Sequence, residues 1–189
     1  MRRGDESRAG RRSRRLLAPL AGVALLAIAV AERLRRRRRG QQTEGSRQMS
    51  DANKTVSRRL VEEAFNQGKY DLIEELVAPT FVNHDPATGD TKGPEGTREL
   101  IEGYRSAFPD LKITIEEQLA ESDLVATRWT AKGTHKGELM GIAPTGKEST
   151  VTGLTIDRIK DGKIVESWNN WDTLGMMRQL GVVPEMATA

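Results

Sequence analysis

The segment Glu166–Gly181 reads ESWNNWDTLGMMRQLG and sets Trp168, Asn169, Asn170, Trp171 and Asp172 in succession, in a chain that is 4% aromatic. A carboxylate held among tryptophans loses hydration, so its pKa rises toward neutrality and it can exchange protons with a bound substrate. Asp172 is therefore a candidate general acid/base. It also directly precedes TLGMMRQLG, where the same side chain can cap a helix by accepting a backbone amide. A carboxylate spent on helix amides has a lowered pKa and is a poorer base. Both roles stay open at this level.

Other residue types admit chemistry in the same two-sided way. His84, in Asn83-His84-Asp85-Pro86, suits a turn or a pocket. Arg128 can bind a carboxylate or carbonyl, or simply sit solvated or paired on a strand. His135 follows Gly133-Thr134 near a strand end. Trp129, Trp168 and Trp171 serve either as core or as a ligand platform. Two histidines with scattered acids lack metal-ligand spacing, so no metal is expected. The chain has no cysteine, which excludes disulfides, thiolate metal sites and a cysteine nucleophile. It has neither a Gly-rich phosphate loop nor a nucleophile elbow.

The elements that must position these groups follow from periodicity. Val56, Leu60, Val61, Ala64 and Phe65 share one helical face from Thr55 onward, with Gly68 as the stop. Tyr70, Leu72, Ile73, Leu76 and Val77 suit a short second helix closed by Pro79. A brief strand and an irregular loop lead to a third helix from about Glu95 to Ala107. Strands are expected at 111–119, 124–134, 149–159 and 164–171, with the loop GIAPTGKE and the turn Lys160-Asp161-Gly162-Lys163 between them. Helices followed by a meander of strands indicate an α+β domain, with helices on one face of a curved antiparallel sheet around a pocket.

Alternation sorts the strand residues by face. Glu166, Trp168, Asn170 and Asp172 form one set of the last strand, and Val165, Ser167, Asn169 and Trp171 the other. In the second strand Val125, Thr127, Trp129, Ala131 and His135 stand opposite Ala126, Arg128, Thr130 and Lys132. A bulge in either strand flips its set.

A chain of 189 residues accommodates one well-buried domain plus an appendage. Its charge is split. Residues 1–48 hold 14 Arg and 4 acids, whereas residues 49–189 hold 16 Lys plus Arg and 23 acids, giving +10 and −7. The acidic body argues against phosphate-backbone binding, so no nucleic acid is expected for the folded domain at 49–189.

Residues 1–48 form an Arg-rich leader around the apolar run 16–31. Sixteen residues are short for a membrane helix. Ser13-Arg14-Arg15-Leu16-Leu17 loosely resembles a twin-arginine export motif with Ala29-Val30-Ala31 as the cleavage site. Alternatively Met49 is the natural start and the leader is dispensable. The domain is then cytoplasmic, whereas an authentic leader makes it membrane-anchored or exported, with membrane contact through the leader alone.

The stretches VNHDP at 82–86, GPEG at 93–96, AFPDL at 107–111, RWTAKGTHKGELMGIAPTGK at 128–147 and DGKIVESWNNWDTLGMMRQLG at 161–181 together resemble the SnoaL-like polyketide cyclase and ester cyclase family within the nuclear transport factor 2-like superfamily. The likeness runs from about residue 54 to 183. It implies a cone-shaped α+β domain with a deep pocket, no cofactor, and pairing into a homodimer. The implied reaction is aldol-type cyclisation or isomerisation of a small hydrophobic carbonyl-bearing molecule, with Asp172 as the acid/base. Equivalents of His84, Arg128, His135, Trp168 and Asn170 would line the pocket, and Tyr104 would reach it from the third helix. A non-catalytic lipid or aromatic binder, and an epoxide or ester hydrolase, are the alternatives the same fold allows.

Overall fold

The computed structural model describes residues 18–183, and the twin-arginine-like pattern at 13–17 lies outside them. Helix α1 (Ala18–Arg59) starts well before the expected Thr55. The chain divides into two compact units, the second beginning at Ser46. Among the described residues no helix is long and apolar enough to cross a membrane, which says nothing of a span built from strands.

In the second unit, α1 passes at Leu60 into a π-helical turn, Leu60–Phe65, and Gly68 at φ 67° marks the expected stop. Helix α2 (Leu72–Leu76) leads directly into β1 (Val77–His84), so the brief strand of the sequence reading is eight residues long. Pro79 falls inside β1 instead of closing the helix. The β1 ladder is interrupted between Val77 and Val82, where a residue without an amide hydrogen is tolerated. Strand β2 (Thr91–Lys92) precedes α3 (Gly93–Ala107), which has Pro94 in its first turn and buries Thr97, Ile101 and Ala107. The long strands are β3 (Lys112–Glu121), β4 (Leu124–Thr134), β5 (Glu148–Lys160) and β6 (Lys163–Trp171), followed by α4 (Thr173–Leu180).

These strands form one sheet in the order β2-β1-β6-β5-β4-β3. The sequence reading gave an antiparallel sheet. All pairings are antiparallel except β1 with β6, which run parallel because α2 delivers the chain to the far side of the last strand. The architecture is α+β, with a curved, unclosed sheet.

Two apolar clusters hold the helices on the sheet. One joins Ile73, Leu76 and Ile101 to Phe81, Val125, Ile159 and Ile164, and the other joins Ala107 and Phe108 to Leu139, Met176 and Leu180. Full burial of each large aliphatic side chain contributes about 1.5–3 kcal/mol. The clusters leave a cavity that takes walls from both.

Candidate active site

The cavity offers about 160 Å³ to the centres of water-sized molecules. Successive rungs of the sheet line it. Asp157 and Ser167 pair across β5 and β6 at one level, Thr127, Thr155 and Asn169 form the next, and on the third Trp129 and Trp171 line the cavity on either side of Gly153, which the Trp129 ring covers. Ala131 with Val151, then Gly133 with Ser149, continue toward α4. Ser57, Leu60 and Phe65 close the Asp157 side, and Tyr104, Phe108 and Met176 contribute from α3 and α4.

Gly153 makes the aromatic floor possible. A Cβ there would lie 2.2 Å from the Trp129 ring, so only glycine lets the indole lie flat across β5. In that pose Trp129 Nε1 donates to Thr155 Oγ1 at 2.9 Å, and Thr155 Oγ1 donates to Asn169 Oδ1 at 2.9 Å. Asn169 Nδ2 in turn donates to Asp85 Oδ2 at 2.9 Å, which also accepts Trp171 Nε1 at 3.2 Å. The other oxygen of Asp85 accepts the amides of Ala87 and Thr88 at 2.8 and 3.4 Å. Four donors thus hold this buried carboxylate.

Asp157 is treated differently. It is 6% exposed and accepts Ser167 Oγ at 2.5 Å. Burial pushes its carboxyl above the usual carboxylate range, an effect that Ser167 and the nearby Ser57 only partly oppose. Ser57 Oγ itself has no partner within hydrogen-bond geometry. Tyr104 meets Trp171 edge-on with ring centroids 6.4 Å apart. Burial first, and the negative Asp85 second, raise its hydroxyl above the ordinary tyrosine value, so it stays a protonated donor.

Of the residues singled out in the sequence, Tyr104, Trp129 and Trp171 line the cavity, and Asp172, His84, Arg128, His135, Trp168 and Asn170 do not. Asp172 is exposed, and its Oδ1 accepts the Gly175 amide at 2.8 Å as the N-cap of α4. A Cβ on Gly175 would fall 1.9 Å from the other carboxylate oxygen, so the glycine lets Asp172 fold back tightly onto the helix. His135 is fully buried against Phe108, and its Nδ1 accepts the Thr145 amide at 3.3 Å. Arg128 is exposed and pairs with Glu117 at 3.1 Å, and Asn170 is exposed on the same outer face.

His84 and Trp168 also belong to that outer face. Trp168 lies between the His84 ring, 5.9 Å away, and the Arg158 guanidinium, 5.0 Å away. His84 Nε2 is 3.2 Å from Glu166, which Arg158 also binds. The pocket set of β6 is therefore Ser167, Asn169 and Trp171, the opposite of the set that carries Asp172. A bulge lies just upstream of this set. Ile164 and Ser167 both face inward, three residues apart, where the β5–β6 register slips between Arg158 and Ile159.

Asp85, Asp157 and Asn169 escaped the sequence reading. The available signal for Asp157 was an acid on the β5 face that also carries Val151, Thr155 and Ile159. Among the described residues no group of three or more His, Asp or Glu side chains is placed to hold a metal ion.

The family model of the SnoaL-like polyketide cyclases matches residues 55–180. The chain belongs to this family. The nogalonic acid methyl ester cyclase of Streptomyces nogalater is 32% identical over 122 residues, covering 62% of this chain and 90% of that enzyme. Among solved structures, IdmH from Streptomyces antibioticus, named as a candidate polyketide cyclase, is 36% identical with a TM-score of 0.61, covering 68% of this chain and 98% of its own. AclR from Streptomyces galilaeus, named as a candidate hydroxylase, is 30% identical with a TM-score of 0.64 over 72% and 85%. This member of the SnoaL-like family thus shares its fold with cyclases and with at least one protein assigned to different chemistry.

Proposed function

We propose that the protein is a cyclase that works without a cofactor, closing a ring in an apolar, carbonyl-bearing molecule by proton transfer from and to Asp157. The observation that carries this reading is a buried carboxylate with raised proton affinity, opening onto an apolar cavity with an indole floor. In its ionised form Asp157 removes a proton from the carbon next to a carbonyl. The enolate carbon attacks a second carbonyl of the same molecule, one C–C bond forms, and the new alkoxide takes the proton back from the Asp157 acid. Atoms and charge balance without an external reactant. Tyr104 Oη, kept protonated by its surroundings, is the donor proposed for the developing oxyanion.

The four donors on Asp85 give it another role. With no free lone pair of good geometry it orients Asn169 and Trp171 and fixes the network under the substrate. Asp172, engaged with Gly175 on the exposed end of α4, is the competing acid/base assignment and enters the test on equal terms. Replacing Asp157 with Asn should remove turnover of a methyl ester cyclase substrate by about 100- to 10,000-fold. Asp172→Asn, which retains a good N-cap, should leave turnover near the wild-type rate. The reverse ranking would return the catalytic role to Asp172.

A further inference from the structure

Ser149 is 4% exposed, lines the cavity, and its Oγ is buried with no hydrogen-bond partner. A buried hydroxyl without a partner costs free energy in the empty protein, and a ligand oxygen can offset it. The surrounding chain does not relieve it. Gly133, its partner across the ladder, has no side chain to offer. The adjacent backbone is clamped from α4, where Gln179 Oε1 accepts the Thr150 amide at 2.8 Å and Gln179 Nε2 donates to the Thr150 carbonyl at 2.9 Å. The hydroxyl is therefore held at a fixed point of the cavity wall.

That point is remote from the proposed chemistry. Ser149 and Asp157 lie on the same face of β5, eight residues and roughly 26 Å of strand apart. The wall between them is Val151, Gly153 under the Trp129 ring, and Thr155, whose hydroxyl is already engaged at both ends. Along β5, Asp157 and the unpartnered Ser149 hydroxyl thus stand at the two ends of this wall.

We propose that Ser149 forms a second, distal subsite, and that the cavity takes an elongated, flat, apolar-bodied molecule with an oxygen function at each end. One oxygen meets Asp157 and the other meets Ser149. This inference rests on the cavity being the ligand site, as in the proposed function, and adds the ligand's length and its second polar end.

Rigid rods test it without any reaction. Isothermal titration calorimetry would compare p-quaterphenyl-4-ol with p-quaterphenyl-4,4‴-diol, which differ by one terminal hydroxyl and, with a hydrogen bond at each end, reach about as far as the strand separation. The diol should bind the wild-type protein about three- to tenfold more tightly, the value of one neutral hydrogen bond. Ser149→Ala should erase that advantage and leave the affinity of the mono-ol unchanged. Ser149→Val, which keeps strand propensity and lacks the hydroxyl, should do the same, and thermal melting of both variants reports on folding.

An equal affinity of the two rods for the wild-type protein, or a diol advantage that survives both substitutions, overturns the distal subsite. Failure of either rod to bind overturns it too, because the cavity would then not accommodate an elongated ligand. None of these results touches the Asp157 assignment, which is judged by turnover and pH dependence.

Discussion

The two faces of the same sheet use similar residues to different ends. On the inner face Asp85 and Asp157 are buried and Trp129, Asn169 and Trp171 are half-buried around them, and each hydrogen bond there fixes a group in one orientation. On the outer face, Trp168, His84, Glu166 and Arg158 build an equally aromatic, equally charged cluster that solvent reaches. A tryptophan beside an acid is thus no signature of a reactive site. The difference is dielectric. Glu166 is paired with Arg158, whereas Asp157 has no cation beside it and burial raises its pKa.

The largest expected break in this comparison is at Asp157, where the Asn variant loses turnover by about two to four orders of magnitude while substitutions on the outer face leave the rate unchanged. The same residue has a thermodynamic signature. Because its folded-state pKa lies above its unfolded value near 3.8, the folded protein binds the extra proton, and stability is full below that value and falls as pH rises through the raised one. Urea unfolding across this range should show the decline in the wild-type protein and its absence in Asp157→Asn. A flat wild-type profile would place the proton elsewhere.

Next in size is Gly153→Ala. The added methyl collides with the Trp129 ring, so the indole must leave the floor, at a cost of about 1–3 kcal/mol in denaturant midpoint experiments and with loss of ligand affinity. Asp172→Ala removes the α4 cap and should cost about 1 kcal/mol of stability. The smallest effect is expected for Arg158→Ala, whose ion pairs are solvent-exposed and contribute less than about 1 kcal/mol, with turnover preserved. A large catalytic loss there would mean that the outer cluster is not independent of the cavity.

Much of this arrangement was legible in the residues themselves. The Asp161-Gly162 turn and the alternating runs on either side place β5 against β6, and the helical stripe ending at Ala107 places α3. The inward set of β4 was also readable, since Thr127, Trp129 and Ala131 do line the cavity. Tyr104, which the family resemblance placed at the pocket from α3, also lines the cavity. What could not be read was the face of β6. Both of its sets contain a tryptophan and an asparagine, so polarity gives no preference, and the inward pair Ile164 and Ser167 breaks strict alternation. Asp172 offered two local roles, and the folded structure shows the cap contact to Gly175, which local sequence alone could not choose.

The amino-acid sequence by itself determined the element order, the hairpins and the α+β class, which depend on periodicity and turn chemistry that act over a few residues, and its motifs carried the family resemblance. The tertiary structure alone decided which carboxylate was buried with a raised pKa. That choice depends on how much water each one loses and which donors reach it, and for Asp157 those neighbours come from β6 and from the end of α1, distant in the chain and adjacent only once the sheet has closed over the helices.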